Sequence, residues 1–279
     1  MASDKTKTSR DLGLELAARC GKYFLKLEDL HYGYWTNGLE VDITNLHKAQ
    51  QNYTDFLISH IPAGVKTILD VGCGTGSTAK KLIALGYAVE CVSPGSFLTT
   101  QASLLLAQTC RIFECPYEEL ETSSRYDMVL FSESFQYVPL DKALEQTARF
   151  LNDGGYMLIS DFFKTEAQGK SIIGGGHKLN QFRRQMEQSP FELISDEDIT
   201  EQTAPNIDLL NDAMNNVFAP LLNSSVDFMN GRYPLTVKLL RWKYRKKLDK
   251  MFAKYFGKGR DSEDFKKFKT YRLFLWRKK

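Results

Sequence analysis

The chain has 279 residues, 43% of them hydrophobic and 25% charged, a composition that suits one or two folded α/β units and fits disordered, collagenous or membrane-spanning classes poorly. Thirty-seven Lys and Arg against 34 Asp and Glu leave a net charge of +3, too balanced to point to nucleic acid by itself. The five cysteines form neither a CxxC pair nor a regular framework, and the polar N-terminus has no apolar leader core, so a reduced, cytoplasmic setting is expected.

Residues 10–60 read as helices around an aromatic stretch, His31-Tyr32-Gly33-Tyr34-Trp35. That stretch fits neither the alternation of a strand nor the stripe of a helix. Pro62 and Gly64 break the helical pattern. From Val65 to about Phe163, short apolar runs (KTILDVG, YAVECVS, CRIFEC, YDMVLFS, YMLISDFF) alternate with helical ones (STAKKLIALG, GSFLTTQASLLLAQ, LDKALEQTARFLNDGG). This rhythm predicts βαβ units and a parallel sheet covered on both faces, with its ligand at the carboxyl ends of the strands.

After Phe163 the rhythm changes. A glycine cluster leads to His177, then to a helical stretch and a strand, FELISDEDIT; residues 205–263 look mainly helical, and TYRLFLWRKK reads as a last strand. The predicted division is a helical flap (1–60), an α/β core (61–204), a helical lid over the sheet's carboxyl edge (205–263) and a final core strand (264–279). Val237–Lys250 is basic, a composition that most often marks a solvated helix face.

The informative order is strand, Asp70, then Gly72, Gly74 and Gly76, then a helix from Ser77. Glycines let a turn tighten and a ligand approach the backbone, and a helix N-terminus offers unpaired N–H groups. Dinucleotide enzymes use GxGxxG with an acid about 20 residues later; here the spacing is GxGxG and the acid comes immediately before it. The D-V-G-C-G-T-G form resembles the first motif of class I methyltransferases that use S-adenosylmethionine, and RYDMVLFSESFQYVP and ALEQTARFLNDGGYMLISD resemble that family's later strands and turns.

The resemblance covers roughly residues 60–163. It implies a Rossmann-like, seven-stranded, mostly parallel sheet with helices on both faces, and S-adenosylmethionine as cofactor. Asp70 and the three glycines would hold the amino acid portion of the cofactor. Glu118, beside Tyr117, would border the adenine, and Ser132 and Glu133 would lie where cofactor meets substrate. The position where many relatives carry a ribose-binding acid falls at Ser93, which makes only single hydrogen bonds; Glu90 could substitute only in a shifted alignment.

An H-x-G-[YF]-[WYF] stretch ahead of this motif resembles the group that includes tocopherol and sterol methyltransferases and cyclopropane fatty acid synthases. In that group the N-terminal segment folds back over the cofactor. The resemblance implies that Tyr34 and Trp35 face the sulfonium through cation–π attraction, with Tyr23 upstream also on the cofactor, and that the acceptor is small, apolar or lipid-like, an isoprenoid included. Candidate catalytic groups are His31, Tyr34, Glu133 and His177, with Asp161 a further base. The histidines lack ligand spacing, so no metal is expected. The basic, aromatic Arg241–Lys247 run suggests peripheral contact with an anionic membrane. A methyltransferase of RNA or other nucleic acid using the basic 238–250 segment is an alternative, although SESF stands where a base-handling motif would follow the fourth strand. An NAD-type dehydrogenase and a non-enzymatic cofactor-binding protein are the remaining rivals.

Overall fold

The structure, a computed structural model, describes residues 9–107, 109–169, 171–256 and 260–279. The first eight residues of the predicted flap and residues 257–259 of the predicted lid lie outside the described residues. The chain divides into two compact units: one holds the residues up to Glu166, Gly175–Thr203 and Lys269–Lys279, the other Ala167–Gly174 and Ala204–Phe268.

The first unit is built on a seven-stranded sheet of order β3-β2-β1-β4-β5-β7-β6. Its strands are β1 (Thr67–Val71), β2 (Ala88–Val92), β3 (Arg111–Phe113), β4 (Tyr126–Ser132), β5 (Leu151–Lys164), β6 (Phe191–Asp198) and β7 (Lys269–Lys278). The first five run parallel, and β7 lies antiparallel between β5 and β6. Central strands β1 and β4 are buried over most of their length because Ile68-Leu69 and Met128–Phe131 put apolar side chains on both faces. Edge strand β6 is largely exposed and carries Glu192, Asp196 and Asp198, which blunt its free edge.

Helices α1 (Ser9–Leu25), α2 (Leu46–Ser59), α3 (Ser77–Ala84), α4 (Ser96–Leu106), α5 (Leu140–Phe150), α6 (Leu179–Glu187) and α7 (Thr200–Thr203) complete this unit. Phe131, Phe135, Phe150, Phe163, Phe182 and Phe274 lie within one apolar cluster of the sheet and its helices. Burying each such side chain contributes about 1.5–3 kcal/mol before the entropy of ordering is counted. The sequence suggests a helix running up to the Gly154-Gly155 turn. Instead, α5 ends at Phe150 and β5 begins at Leu151, with an irregularity opposite Tyr126–Met128 where Gly154 adopts φ 74°.

Strand order reverses between β1 and β4, so the carboxyl ends of these two strands form the crevice where an open α/β sheet binds ligands.

The second unit contains α8 (Pro205–Ala213), a π-helical stretch (Met214–Phe218), α9 (Ala219–Arg232), α10 (Pro234–Phe256) and α11 (Ser262–Phe268). The final strand thus starts at Lys269 rather than at 264, because Ser262–Phe268 forms a helix first. Among the described residues no helix is long and apolar enough to cross a membrane.

Candidate active site

Asp70 sits near the end of β1 with 2% of its surface exposed, and its Oδ2 has no hydrogen-bond partner. Burial, then the nearby charge of Asp29, push its carboxyl up to about 7. The loop after β1 turns on three glycines in the left-handed region, Gly72 (φ 78°), Gly74 (φ 56°) and Gly76 (φ 86°). Gly72 is also sterically required: a Cβ there would lie 2.5 Å from the Cβ of Ser134. Gly76 caps α3, and its carbonyl accepts the Lys80 N–H at 2.9 Å.

The segment before α2 lies on this loop. Thr75 Oγ1 donates to the Glu28 carbonyl at 2.6 Å, and Ser77 Oγ donates to Asp29 Oδ2 at 3.1 Å. Gln50 of α2 donates to the His31 carbonyl at 2.7 Å. His31 Nδ1 is 2.8 Å from the Tyr32 carbonyl, and its Nε2 faces Thr54 Oγ1 at 3.2 Å and Asp29 Oδ2 at 3.6 Å. Burial alone would lower the His31 pKa; Asp29, Glu133 and the Tyr32 carbonyl outweigh it and hold the value above the ordinary one. Each ring nitrogen faces an acceptor, the arrangement of an imidazolium. The His31 ring is thus held between Asp29, Thr54 and the Tyr32 carbonyl, surroundings that favour its charged form.

Glu133 follows β4 with φ 54°, a strained conformation for a non-glycine residue. Its Oε1 accepts the Tyr32 N–H at 2.7 Å and the Tyr271 hydroxyl at 2.9 Å. Burial raises the Glu133 pKa despite the opposing His31 charge and these two donors, although the residue keeps some accessible surface at the strand ends. Tyr271 reaches Tyr53, whose hydroxyl meets Ser132 Oγ at 3.0 Å and Ser160 Oγ at 2.9 Å. Burial pushes both phenols well above their usual range. A continuous polar chain thus runs from the glycine loop through Asp29 and His31, and from Tyr32 through Glu133 to β4, β5 and β7.

Of the aromatic stretch, Tyr32 reaches the strand ends: its ring lies 6.4 Å from Phe162 and 6.1 Å from Tyr271. Tyr34 stacks on Phe56 of α2 at 4.7 Å, and Trp35 is 5% exposed with its main-chain N–H bonded to the Gln202 carbonyl. Tyr34 and Trp35, expected to face the sulfonium, thus pack on Phe56 of α2 and into the core, while Tyr32 is the ring of this stretch that reaches Phe162 and Tyr271. The main-chain N–H groups of Tyr32, Tyr34 and Trp35 bond to Glu133, Ala49 and Gln202 in turn, which sets where each ring points. Tyr32, Tyr53 and Tyr271 could not be picked out by sequence because nothing in their spacing distinguishes them from core aromatics.

His177 is a strut. Its Nε2 lies 3.1 Å from the carbonyls of both Phe135 and Val138, so that nitrogen carries a proton and donates; burial lowers its pKa. Asp161, 1% exposed, accepts from the N–H of Gln136, the side-chain amide of Gln136 and the N–H of Phe162, yet burial and the Glu133 charge push it up to about 8. Ser93 directly follows β2, is buried, and donates its N–H to the Phe113 carbonyl. Glu90 is engaged by the Tyr126 hydroxyl, which removes it as a substitute ribose ligand. Glu118 lies half-buried in a short turn after β3, while Tyr117 is core and bonds Thr147 at 3.0 Å. Tyr23 is 73% exposed on α1 and lines a cleft of ≈ 680 Å³ with Thr75, Phe97 and Gln101. Among the described residues no group of three or more His, Cys, Asp or Glu could hold a metal ion.

A family model described as a methyltransferase domain matches residues 46–211, more than half of the chain. The chain belongs to this methyltransferase family. The ubiquinone biosynthesis O-methyltransferase of Paraburkholderia phytofirmans is 28% identical over 145 residues, 48% of this chain and 60% of that protein. The chain thus spans about 60% of the length of the first curated relatives it matches. Two solved methyltransferase-like structures share the fold. Geranyl diphosphate C-methyltransferase from Streptomyces coelicolor has a TM-score of 0.67 at 17% identity, covering 98% of each chain. A cyclopropane synthase from Mycobacterium tuberculosis has a TM-score of 0.69 at 14% identity, covering 99% of this chain and 100% of that one.

Proposed function

We propose that the protein transfers a methyl group from S-adenosylmethionine to a small, apolar or lipid-like acceptor. The observation that carries this reading is Asp70, a buried carboxylate with an unpartnered oxygen beside a loop opened by left-handed glycines. A buried anion without a partner favours a cation, and the ammonium group of the cofactor's amino acid portion is one. The residues present therefore fit the group. Asp70, Gly72, Gly74 and Gly76 would hold that portion; Ser93 would give single hydrogen bonds to the ribose, Glu118 would border the adenine, and Ser132 would stand at the donor end.

When bound, the cofactor supplies an electrophilic methyl group on a sulfonium that is already a good leaving group. What remains for the chain is to orient the acceptor, exclude water and take a proton where the acceptor carries one. Tyr32, Phe162 and Tyr271 offer aromatic faces to a cationic centre. Glu133, whose carboxyl is held above its ordinary pKa, is the group we assign to take the proton.

Two observations support a lipid-like acceptor and peripheral membrane contact. The names of the relatives include ubiquinone biosynthesis and geranyl diphosphate. On α10, Leu235, Leu239 and Trp242 share one face and are 82%, 61% and 77% exposed, between the exposed Lys238, Lys243 and Lys246. The five cysteines form neither a CxxC pair nor a regular framework, which fits a reduced, cytoplasmic setting.

Calorimetry with S-adenosylmethionine and with NAD, followed by mass spectrometry of lipid extracts incubated with labelled cofactor, tests the proposal. Cofactor binding without NAD binding, and label in an apolar product, are expected. Failure to bind S-adenosylmethionine or its demethylated product between pH 6 and 8 would sink it.

A further inference from the structure

Cys91 lies in β2, paired in register with Asp70 of β1, and Cys110 lies in the bend one residue before β3. Their Sγ atoms are 3.5 Å apart. Cys91 is fully buried, whereas Cys110 is partly exposed. A third thiol, Cys73 in the glycine loop, lies near the Cys91 side chain and helps to raise its pKa.

The two sulfurs are not equivalent. Either sulfur can donate across this contact, and Cys110 Sγ also donates to the Arg111 carbonyl at 3.4 Å; the Cys91 contact lowers the Cys110 pKa against the effect of burial and of the Asp70 and Glu90 charges. The neighbouring Cys110 and Cys73, together with burial, push Cys91 up. An accessible sulfur therefore touches a buried one, an arrangement in which the exposed thiol can meet an oxidant and the buried thiol can resolve it. Methyl transfer uses neither. Cys20 and Cys115 have no such neighbouring sulfur among the described residues.

We propose that Cys110 and Cys91 form a peroxide-reactive thiol pair that closes to a disulfide between β2 and the entry to β3, beside the glycine loop. The Cys110 thiolate attacks one oxygen of hydrogen peroxide; the O–O bond breaks, giving a sulfenic acid at Cys110 and hydroxide. Cys91 then attacks Cys110 Sγ. The S–S bond forms as the S–O bond breaks, and the oxygen leaves as water carrying the Cys91 proton. Two electrons leave the thiol pair, and peroxide ends as hydroxide and water.

Closure requires the sulfurs to approach from 3.5 Å to about 2.05 Å; Cys91 is paired in register with Ile112, so the approach must come from a shift of the bend at Cys110, which lies outside the ladder. The new bond would sit on Cys91, whose partner in β1 is Asp70, two residues before the glycine loop.

The test is intact-mass spectrometry of the full chain before and after hydrogen peroxide, with peptide mapping and reversal by dithiothreitol. The expected result is a loss of about 2 Da, reversed by the reductant, with a cross-linked peptide joining Cys91 and Cys110. The loss should vanish in Cys110→Ser and Cys91→Ser and persist in Cys20→Ser and Cys115→Ser. Peptide mapping of the unmodified chain identifies the joined cysteines even if Cys91→Ser fails to fold. Gains of about 16 or 32 Da without the 2 Da loss, or a 2 Da loss that survives in Cys110→Ser, would overturn the proposal. The readout needs no cofactor, so it stands or falls separately from the methyl-transfer reading.

Discussion

The carboxylate of Glu133 accepts the main-chain N–H of Tyr32 at 2.7 Å, joining residues 101 positions apart in sequence. The same oxygen accepts the Tyr271 hydroxyl, so one side chain ties the segment before α2 to both β4 and β7. Glu133→Ala would remove the carboxylate acceptor of the Tyr32 N–H and leave the Tyr271 hydroxyl to Tyr53, at about 1–3 kcal/mol for a buried group left unsatisfied. Glu133→Gln keeps an acceptor oxygen and should cost clearly less. Urea unfolding of the two variants measures the difference, and equal stability of Glu133→Ala and the unmodified chain would show that the tie carries no weight.

Asp70, pushed up to about 7, and Asp161, pushed up to about 8, hold protons in the fold at pH values where the unfolded chain, near 3.8, has lost them. Their contribution to stability is therefore largest at low pH and declines as pH rises from about 4 to about 8. Ligand binding runs the other way. An ammonium group pairs with the Asp70 carboxylate, so binding below about pH 7 releases a proton, and affinity for S-adenosylhomocysteine should rise up to about tenfold per pH unit before levelling. Calorimetry in buffers of different ionisation enthalpy reads the proton directly. Asp70→Asn should bind weakly and lose the pH dependence; unchanged affinity would contradict the role given to Asp70.

Gly72→Ala should be among the most damaging single-methyl changes in the chain. The added Cβ would meet Ser134 Cβ at 2.5 Å, and φ 78° is unfavourable for alanine. Ser134 cannot yield easily, because its hydroxyl donates to the Val71 carbonyl. Loss of at least about 1–3 kcal/mol is expected. Ser134→Gly in the same chain should recover part of it, since it removes the clashing Cβ and leaves only the backbone strain. Thermal melts of the single and double variants decide the point.

Most of the sheet was legible in the sequence because strand and helix periods are local properties. Ile68-Leu69, Met128 to Phe131 and Met157 to Ile159 are apolar runs, and each lies in a central strand. Asp70 and its glycines were legible because their spacing is itself the backbone requirement. The order of rings within His31–Trp35 was not. It depends on which distant groups receive the backbone of residues 32–35, namely Glu133, Ala49 and Gln202. Tyr271 and Tyr53 were hidden for the same reason: a phenol is assigned to a site by its partner, and the partners lie on other strands.

The exposed face of α10 predicts membrane binding in a form that charge and shape can both test. Leu235, Leu239 and Trp242 would enter the interface while Lys238, Lys243 and Lys246 meet anionic headgroups, each worth about 1 kcal/mol near the surface. The chain should sediment with anionic vesicles at low salt and be released as salt screens the lysines. Trp242→Glu should stay in the supernatant. Equal recovery of the unmodified chain and Trp242→Glu in the supernatant at low salt would remove the membrane from the proposal.

Tyr32 and Tyr34 make opposite predictions although they are two residues apart. Tyr32 packs toward Phe162 and Tyr271 at the strand ends, beside Glu133, whereas Tyr34 stacks on Phe56 of α2. Tyr34→Ala should lose a stacked pair worth about 0.5–1.5 kcal/mol of stability and leave turnover near normal once folded. Tyr32→Ala keeps the backbone N–H that Glu133 accepts, so the tie survives, but it removes an aromatic face from the site. Its expected signature is a fall in kcat with little change in melting temperature. Tyr32→Phe separates ring from hydroxyl and should retain most activity if the face is what matters. A Tyr34→Ala variant that loses activity more than Tyr32→Ala would return the cofactor-facing role to Tyr34 and overturn this placement of the aromatic segment.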